Sequence, residues 1–413
     1  MPINTACDSL PPFFPLAVMT SPLDKLPIEL VDAIVEFLPA KALKSLALAS
    51  ALFRHPCQRC LFCNVAIRRP LLDVIPQTGP QPPSLSDFPT SPRLLANIAS
   101  LTVAFARAHG WPDEPAFSTA LSAIAAHGNV RRLAVMGTGP WAWLAPDTRA
   151  ALLAILNDVQ LRTLKMHDVL AFPAAEMYHL LSRGVEKTLV LSGCTYRLHE
   201  ATGLDMGVAR VQSLVLRSNL DEAYAMLAST EAPSLQNITK LSLRHADVDL
   251  RHNTLFNSTS IAHGLVELTL ICYTLDAPGV VLPAAPRLQR LEVRTHMSWI
   301  LPYGVAPTLA ALPSSLQRCV FVFTLAISNP HRFYPSAEQY ALFAADDSRG
   351  PPSAVAVELV ARVVNGHAGV ELDVADEEMV WEEFQDVVRR GFEGSKAPVV
   401  RRTVAELDGF EDD

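Results

Sequence analysis

Long apolar runs are missing from this chain. Half of its 413 residues are apolar, yet no stretch approaches the 18 or so consecutive residues needed to cross a bilayer. The apolar content is therefore expected to lie in cores and interfaces rather than in a membrane. No secretory leader is expected from the first residues either. Pro11, Pro12 and Pro15 interrupt the apolar stretches of the first 20 residues, and no basic start precedes a continuous apolar segment. Residues 1–20 are expected to form a disordered extension. Seven cysteines in a chain of this length without a leader point to reduced thiols in the cytoplasm or nucleus. The net charge of −8 argues against bulk binding to nucleic acid or a membrane surface.

Catalytic signatures are also scarce. There is no nucleophile elbow, and His199-Glu200 lacks the second histidine of a zinc-protease helix. No pair of groups is spaced for acid–base work. Cys57, Cys60 and Cys63 have metal-ligand spacing, but Ala66 and Ile67 follow where a fourth ligand would stand. On a helix the three thiols share roughly one face, where cysteine behaves as a small apolar residue. Gly137-Thr138-Gly139-Pro140-Trp141-Ala142 matches a loose dinucleotide fingerprint. Pro140 and Trp141 would crowd the close backbone approach that such a loop exists to permit. No metal, cofactor or enzymatic activity is expected.

The stretch Leu26 to Phe62 is dense in signal: LPIELVDAIVEFLPAKALKSLALASALFRHPCQRCLF. Pro27 opens a first helix at a position where a missing N–H costs nothing, and Glu29 favours the positive end of the helix dipole. Leu30, Ile34, Phe37 and Leu38 recur at helical spacing as one apolar face. Pro39 ends this helix. A second is expected from Lys41, with Leu43, Leu46 and Leu48, and a third from Ala51, with Leu52 and Phe53. A module of about 40 residues rarely supports a core alone, so part of this apolar surface belongs to an interface.

This segment resembles an F-box, the motif that docks a substrate receptor onto the Skp-family adaptor of a cullin-RING ubiquitin ligase. The resemblance runs through Leu26-Pro27, Glu29-Leu30, Ile34, Leu38-Pro39, Leu43, Leu46, Leu48, Ser50 and Phe53-Arg54. It implies that Leu26, Pro27, Leu30, Ile34, Leu38, Pro39 and Leu43 contact the adaptor, and through it a cullin. A helical hairpin that only caps the following domain is the alternative.

From Leu94 an internal repeat takes over. Its unit is an apolar residue, two variable residues, an apolar residue, one variable residue and a further apolar residue. Ile98/Leu101/Val103, Val130/Leu133/Val135 and Leu161/Leu164/Met166 are the first three copies. The central residues fall at positions 101, 133, 164, 189, 214, 241, 268, 291 and 319. Most intervals lie within the 20 to 29 residues of leucine-rich repeats. Helix-like runs at Phe117 to Ala126, Asp147 to Asn157, Ala174 to Ser182 and Leu220 to Leu227 lie between the copies. The expected fold is an α/β solenoid: a three-helix F-box followed by a leucine-rich-repeat array with a parallel sheet on its concave face. A doubly wound α/β domain built from the same elements is the alternative. The expected organisation is the F-box over 21–69, a Pro-rich linker over 70–93, repeats over 94–327 and a C-terminal cap with an acidic tail over 328–413. Within that cap a helix is expected at Ala354 to Val364, a strand at Gly369 to Val374 and an acidic amphipathic helix near Glu377 to Arg390.

Alternate strand residues face opposite sides, so the positions one before, one after and three after each centre point away from the core. They hold eight basic residues, Arg132, Lys165, Arg217, Lys240, Arg244, Arg290, Arg294 and Arg318, against only Glu267 and Glu292. An acidic protein thus presents a basic inner face. Arg217, Lys240, Arg244, Arg290 and Arg294 are the expected contacts for an acidic or phosphorylated segment of a protein substrate. An ordinary solvated face is the alternative. Aromatic residues are almost missing from the same positions, which argues against RNA. The function expected from motif and repeat together is that of a non-catalytic substrate receptor of an SCF-type ubiquitin ligase. The alternative is a repeat scaffold that recruits no ligase.

Overall fold

The computed structural model describes residues 26–68, 91–105, 115–137, 139–158, 160–198, 207–244, 250, 254–272, 280–282, 284–298, 308, 312–327, 355–365, 374–391 and 399–402. The chain divides into two compact units, Met1–Cys63 and Asn64–Asp413.

The first unit holds α1 (Ile28–Glu36), α2 (Ala40–Ala49) and α3 (Ala51–Phe62). Prolines start two of them. The Pro27 carbonyl accepts from the amides of Leu30 (3.0 Å) and Val31 (3.1 Å), and the Pro39 carbonyl accepts from Leu43 (3.1 Å). At either place an absent N–H leaves nothing unsatisfied. Val31, Val35, Leu43, Phe53 and Cys57 form the core of the unit. Arg59 of α3 reaches Asp32 of α1 at 2.9 Å. That pair is half-exposed and adds little beyond orientation.

The second unit is built on a parallel sheet of twelve strands. They are β1 (Asn64–Arg68), β2 (Ser100–Phe105), β3 (Arg132–Gly137), β4 (Thr163–His167), β6 (Thr188–Ser192), β8 (Ser213–Arg217), β9 (Lys240–Arg244), β10 (Glu267–Cys272), β11 (Arg290–Ser298), β12 (Arg318–Ile327), β13 (Ala356–Asn365) and β14 (Val399–Arg402). Two-residue strands β5 (Phe172–Pro173) and β7 (Tyr196–Arg197) pair separately. Between strands lie α4 (Pro92–Leu95), α5 (Pro115–His127), α6 (Pro146–Leu156), α7 (Ala174–His179), α8 (Leu220–Leu227), α9 (Thr254–Ser258) and α10 (Ile261–Gly264), with α11 (Val374–Gly391) between the last two strands. The architecture is α/β, and each strand lies beside its predecessor in the chain, with no reversal of order.

One row of residues runs through this sheet. Val65, Leu101, Leu133, Leu164, Leu189, Leu214, Leu241, Leu268, Leu291, Cys319 and Val357 are successive partners across ten parallel pairings. The nine centres found by the repeat template are nine consecutive members of it. From Leu101 to Val357 the row is buried. It packs with Leu121 and Ile124 of α5, Leu152 and Ile155 of α6, and Met226 and Leu227 of α8 in one continuous core. Parallel sheets usually have both faces covered. Here β2, β4, β8 and β9 alternate buried with half-buried or exposed residues, so one face packs on helices and the other is partly open.

The turn after the strand repeats as well. Asp168, Gly193 and Ser218 each stand four residues past their centre and each has a left-handed backbone, with φ of 53°, 63° and 56°. The Asp168 amide donates to the Ser192 carbonyl (2.8 Å), and the Gly193 amide to that of Arg217 (3.0 Å), so the ladder continues through the bend. A Cβ at Gly193 would run into the Asp168 carboxylate, and positive φ adds strain for any other residue. After the first two turns the next residue, Val169 or Cys194, is buried, whereas Asn219 after the third is exposed. The Cys194 thiol donates to the Met166 carbonyl at 3.5 Å, and the Asn219 amide to that of Gly193 at 3.3 Å.

The tail departs from expectation. Residues 356–365 are not helix but β13, paired with β12 over ten residues. The run AVELVARVVN is rich in β-branched residues, and burial of Val357 and Leu359 in the sheet core overrides a helical reading. The amphipathic helix is present as α11, with Trp381, Phe384 and Val388 buried. The expected strand at 369–374 lies outside the described residues, except that Val374 begins α11. Residues 1–20, most of the 70–93 linker and the acidic end from Glu406 lie outside them too. β14 then adds a strand where none was expected.

Two measurements test this packing. Leu214→Ala, on the buried row, should cost about 2–5 kcal/mol in a denaturant unfolding experiment. Val215→Ala, next to it but on the open face, should cost well below that, and equal losses would contradict the assignment of faces. Burial pushes the Cys194 thiol up from an ordinary 9.0 to about 11 and lifts the neighbouring Tyr196 hydroxyl well above its usual value. The unfolded chain gives up the thiol proton near pH 9 and the folded chain holds it to about 11, so stability falls as pH rises through this window. Cys194→Ala should shrink the loss in unfolding midpoint measured between pH 8.5 and 10.5.

Candidate functional site

Two surfaces carry the residues singled out from the sequence, one on each unit. In the helical unit α1 has two apolar stripes with the same i, i+4 spacing. Val31 and Val35 form one and are buried, 0% and 1% exposed. Leu30 and Ile34 form the other and are 52% and 42% exposed, with Phe37 beyond them at 88%. The apolar face expected from spacing is therefore the outer one at Leu30, Ile34 and Phe37, while Leu38 and Leu26 rest partly buried against the core. Pro27 and Pro39 are exposed. Leu43 differs from the other expected adaptor contacts: it is buried in the three-helix core, where its packing serves the unit itself. Ile28 and Leu48 are exposed as well. These five large apolar side chains on one small unit form the densest such exposure in the described residues, and exposure of that kind marks an interaction surface.

The cysteine triplet belongs to this core. Cys57 is buried, Cys60 packs half-buried against it, and the Cys63 thiol donates to the Cys60 carbonyl at 3.1 Å. Burial pushes the Cys57 and Cys60 thiols up, which holds them away from the thiolate form that binds metal. Among the described residues no three His, Cys, Asp or Glu side chains gather as a metal site. The glycine loop is likewise taken up by packing. Gly137 lies directly against the Phe105 ring, Trp143 covers Gly139, and the Trp141 amide donates to the Leu170 carbonyl at 2.7 Å.

The open face of the sheet carries the basic residues in two rows rather than one cluster. Arg217 and Arg244 are register partners on β8 and β9. Lys240 stands at the opposite end of β9, where it meets Glu267 of β10 at 2.9 Å. Arg290 and Arg294 flank Glu292 on β11 and both reach it, at 3.3 Å and 2.7 Å. Glu358 of β13 repeats this arrangement, receiving Arg318 at 2.6 Å and Arg401 of β14 at 3.1 Å. Three of the five expected substrate contacts thus already have acids supplied by the chain itself. Arg244 makes no ion pair among the described residues, and its Nε is buried with no acceptor.

Glu358 and Arg401 were missed by the sequence reading because their strands were missed. The signal was there: Ala354, Val357 and Leu359 fit the repeat template with a weak first residue. Val357 follows Cys319 by 38 residues, an interval longer than any in the expected array.

No known family of proteins matches this sequence, and no curated protein matches it.

Proposed function

We propose that the protein is a non-catalytic substrate receptor of an SCF-type cullin-RING ubiquitin ligase, acting in the cytoplasm or nucleus. In this reading the helical unit is an F-box that binds a Skp-family adaptor. The second unit is a leucine-rich-repeat solenoid whose open, concave face holds a substrate protein. The mechanism is proximity: one end is tied to the adaptor and cullin, and the other positions a substrate lysine for ubiquitin transfer by other subunits.

The observation that carries the reading is the outer stripe of the helical unit. Ile28, Leu30, Ile34, Phe37 and Leu48 stay exposed, and Leu30 and Ile34 are positions the F-box pattern assigns to the adaptor. Burying a leucine or isoleucine of this kind contributes about 1.5–3 kcal/mol before ordering costs. The repeat reading is supported by the single row of centres and by a strand order that never reverses. A doubly wound sheet turns back at a switch point. Three successive left-handed turns at equivalent positions support it further.

The test is co-purification of the full chain with a Skp-family adaptor, beside a Leu30→Asp, Ile34→Asp variant. Both positions are solvent-exposed, so the variant should keep its helical circular dichroism and unfolding midpoint. Wild type should form a complex that the variant loses. A well-folded wild type that forms none would refute the receptor reading and favour a repeat scaffold independent of any ligase.

A further inference from the structure

The two halves of the open face treat charge differently. From β9 to β14 acids of the chain meet its cations: Glu267 meets Lys240, Glu292 meets Arg290 and Arg294, and Glu358 meets Arg318 and Arg401. On β2, β3, β4, β6 and β8 the positions one before, one after and three after each centre hold no aspartate or glutamate. Arg132 and Lys165 are among them. Arg132 is exposed and stands beside Thr163, and Lys165 is half-buried between Ala134 and Val190.

Three further cations line the edge where these strands begin. The Arg162 amide donates to the Arg131 carbonyl at 2.8 Å, and the Lys187 amide to the Arg162 carbonyl at 3.0 Å. Arg131, Arg162 and Lys187 therefore stand side by side, about 4.8 Å from one to the next. All three are exposed, and like charges on adjacent strands repel. The loop acids leave most of this charge unanswered. Glu186 lies 4.0 Å from Arg162, at the outer limit of an ion pair, and Asp158, in the loop leading to β4, accepts from the Gln160 amide at 2.9 Å. Among the described residues no acid pairs with Arg131, Arg132, Lys165 or Lys187.

The geometry points to a docking site at the start of β3, β4 and β6 for an acidic segment of a partner protein, whose Asp and Glu carboxylates are received by Arg131, Arg132, Arg162, Lys165 and Lys187. Charge complementarity sets the occupant. These cations spread over about 10 Å across the strands and about 10 Å along them, too far apart for a single anion. Acids spaced about 5–7 Å, as on one face of a helix or along an extended strand, meet them in turn. Carboxylates are assigned because glutamate is what this same face uses wherever its cations are paired. Phe, Tyr and Trp are missing from the open-face positions of these strands, which leaves no platform for stacking nucleic-acid bases. The site rests on the reading of the second unit as the substrate-holding part and makes no use of the adaptor surface.

The test measures fluorescence anisotropy of labelled 12-residue peptides with the full chain. The probe carries six consecutive glutamates between Gly-Ser spacers, and its control carries glutamines instead. The glutamate peptide should bind, and the glutamine peptide should be weaker by roughly tenfold or more. Arg131→Glu with Arg162→Glu, and the milder Arg131→Gln with Arg162→Gln, should each weaken the glutamate peptide by roughly the same factor. Arg287→Glu with Arg389→Glu reverses two exposed charges before β11 and on α11 and should leave binding unchanged. The proposal is overturned by no binding of the glutamate peptide, by equal affinity for the glutamine peptide, by patch variants that bind unchanged, or by an equal loss in the Arg287, Arg389 variant. A peptide with one phosphoserine, or a 12-nucleotide oligouridylate, that binds at least tenfold tighter than the glutamate peptide would overturn the choice of occupant. Adaptor capture by the Arg131→Glu, Arg162→Glu chain, measured alongside, separates failure of this site from failure of the receptor reading.

Discussion

A single parallel register governs the second unit. Eleven residues from Val65 to Val357 stand side by side because each strand pairs with the next without slippage at that row. A shift of one residue at any pairing would send a strand's apolar set to the open face and its polar set into the helices. The register therefore decides what is core, what is surface and which charges meet. Glu292 sits between two arginines, and Arg217 beside Arg244, because the strands are aligned. The left-handed turns at Asp168, Gly193 and Ser218 bend the chain at the same place past each of three successive centres.

The two units use apolar residues in opposite ways. In the sheet unit they are turned inward along the row, and the few large ones left outside, such as Met136 and Trp143, lie far apart in the chain from the others. In the helical unit α1 divides its apolar residues between a buried stripe, Val31 and Val35, and an exposed one, Leu30 and Ile34. A small core of five buried residues leaves little stability in hand. An exposed apolar stripe on such a unit is costly to solubility, and exposure of this kind marks an interaction surface.

Much of this was legible in the sequence. The spacing of Leu133, Leu164 and Leu241 identified strands, face and order at once, because a parallel array repeats one local problem with one local solution. Helices α5, α6 and α8 emerged within two residues of their observed ends for the same reason. Elsewhere local pattern ran out. Two i, i+4 stripes on α1 are equally apolar, and only tertiary packing decides that Val31 faces inward and Leu30 outward. Leu43 looked like Leu30 because exposure is not written in residue type. β13 was read as helix because its long interval from β12 broke the period, and with it went Glu358 and Arg401. The neutralisation of Lys240, Arg290 and Arg294 depends on which side chains reach across strands, a property of register that a charge count does not contain.

The most direct test is amide hydrogen exchange on the full chain with and without a Skp-family adaptor. The account predicts slowed exchange confined to α1, α2 and their junction at Pro39, with the amides of β3 to β12 unchanged. Unchanged exchange in α1 and α2 upon complex formation, or protection centred on the sheet unit, would contradict the claim that the exposed helical stripe is the docking surface.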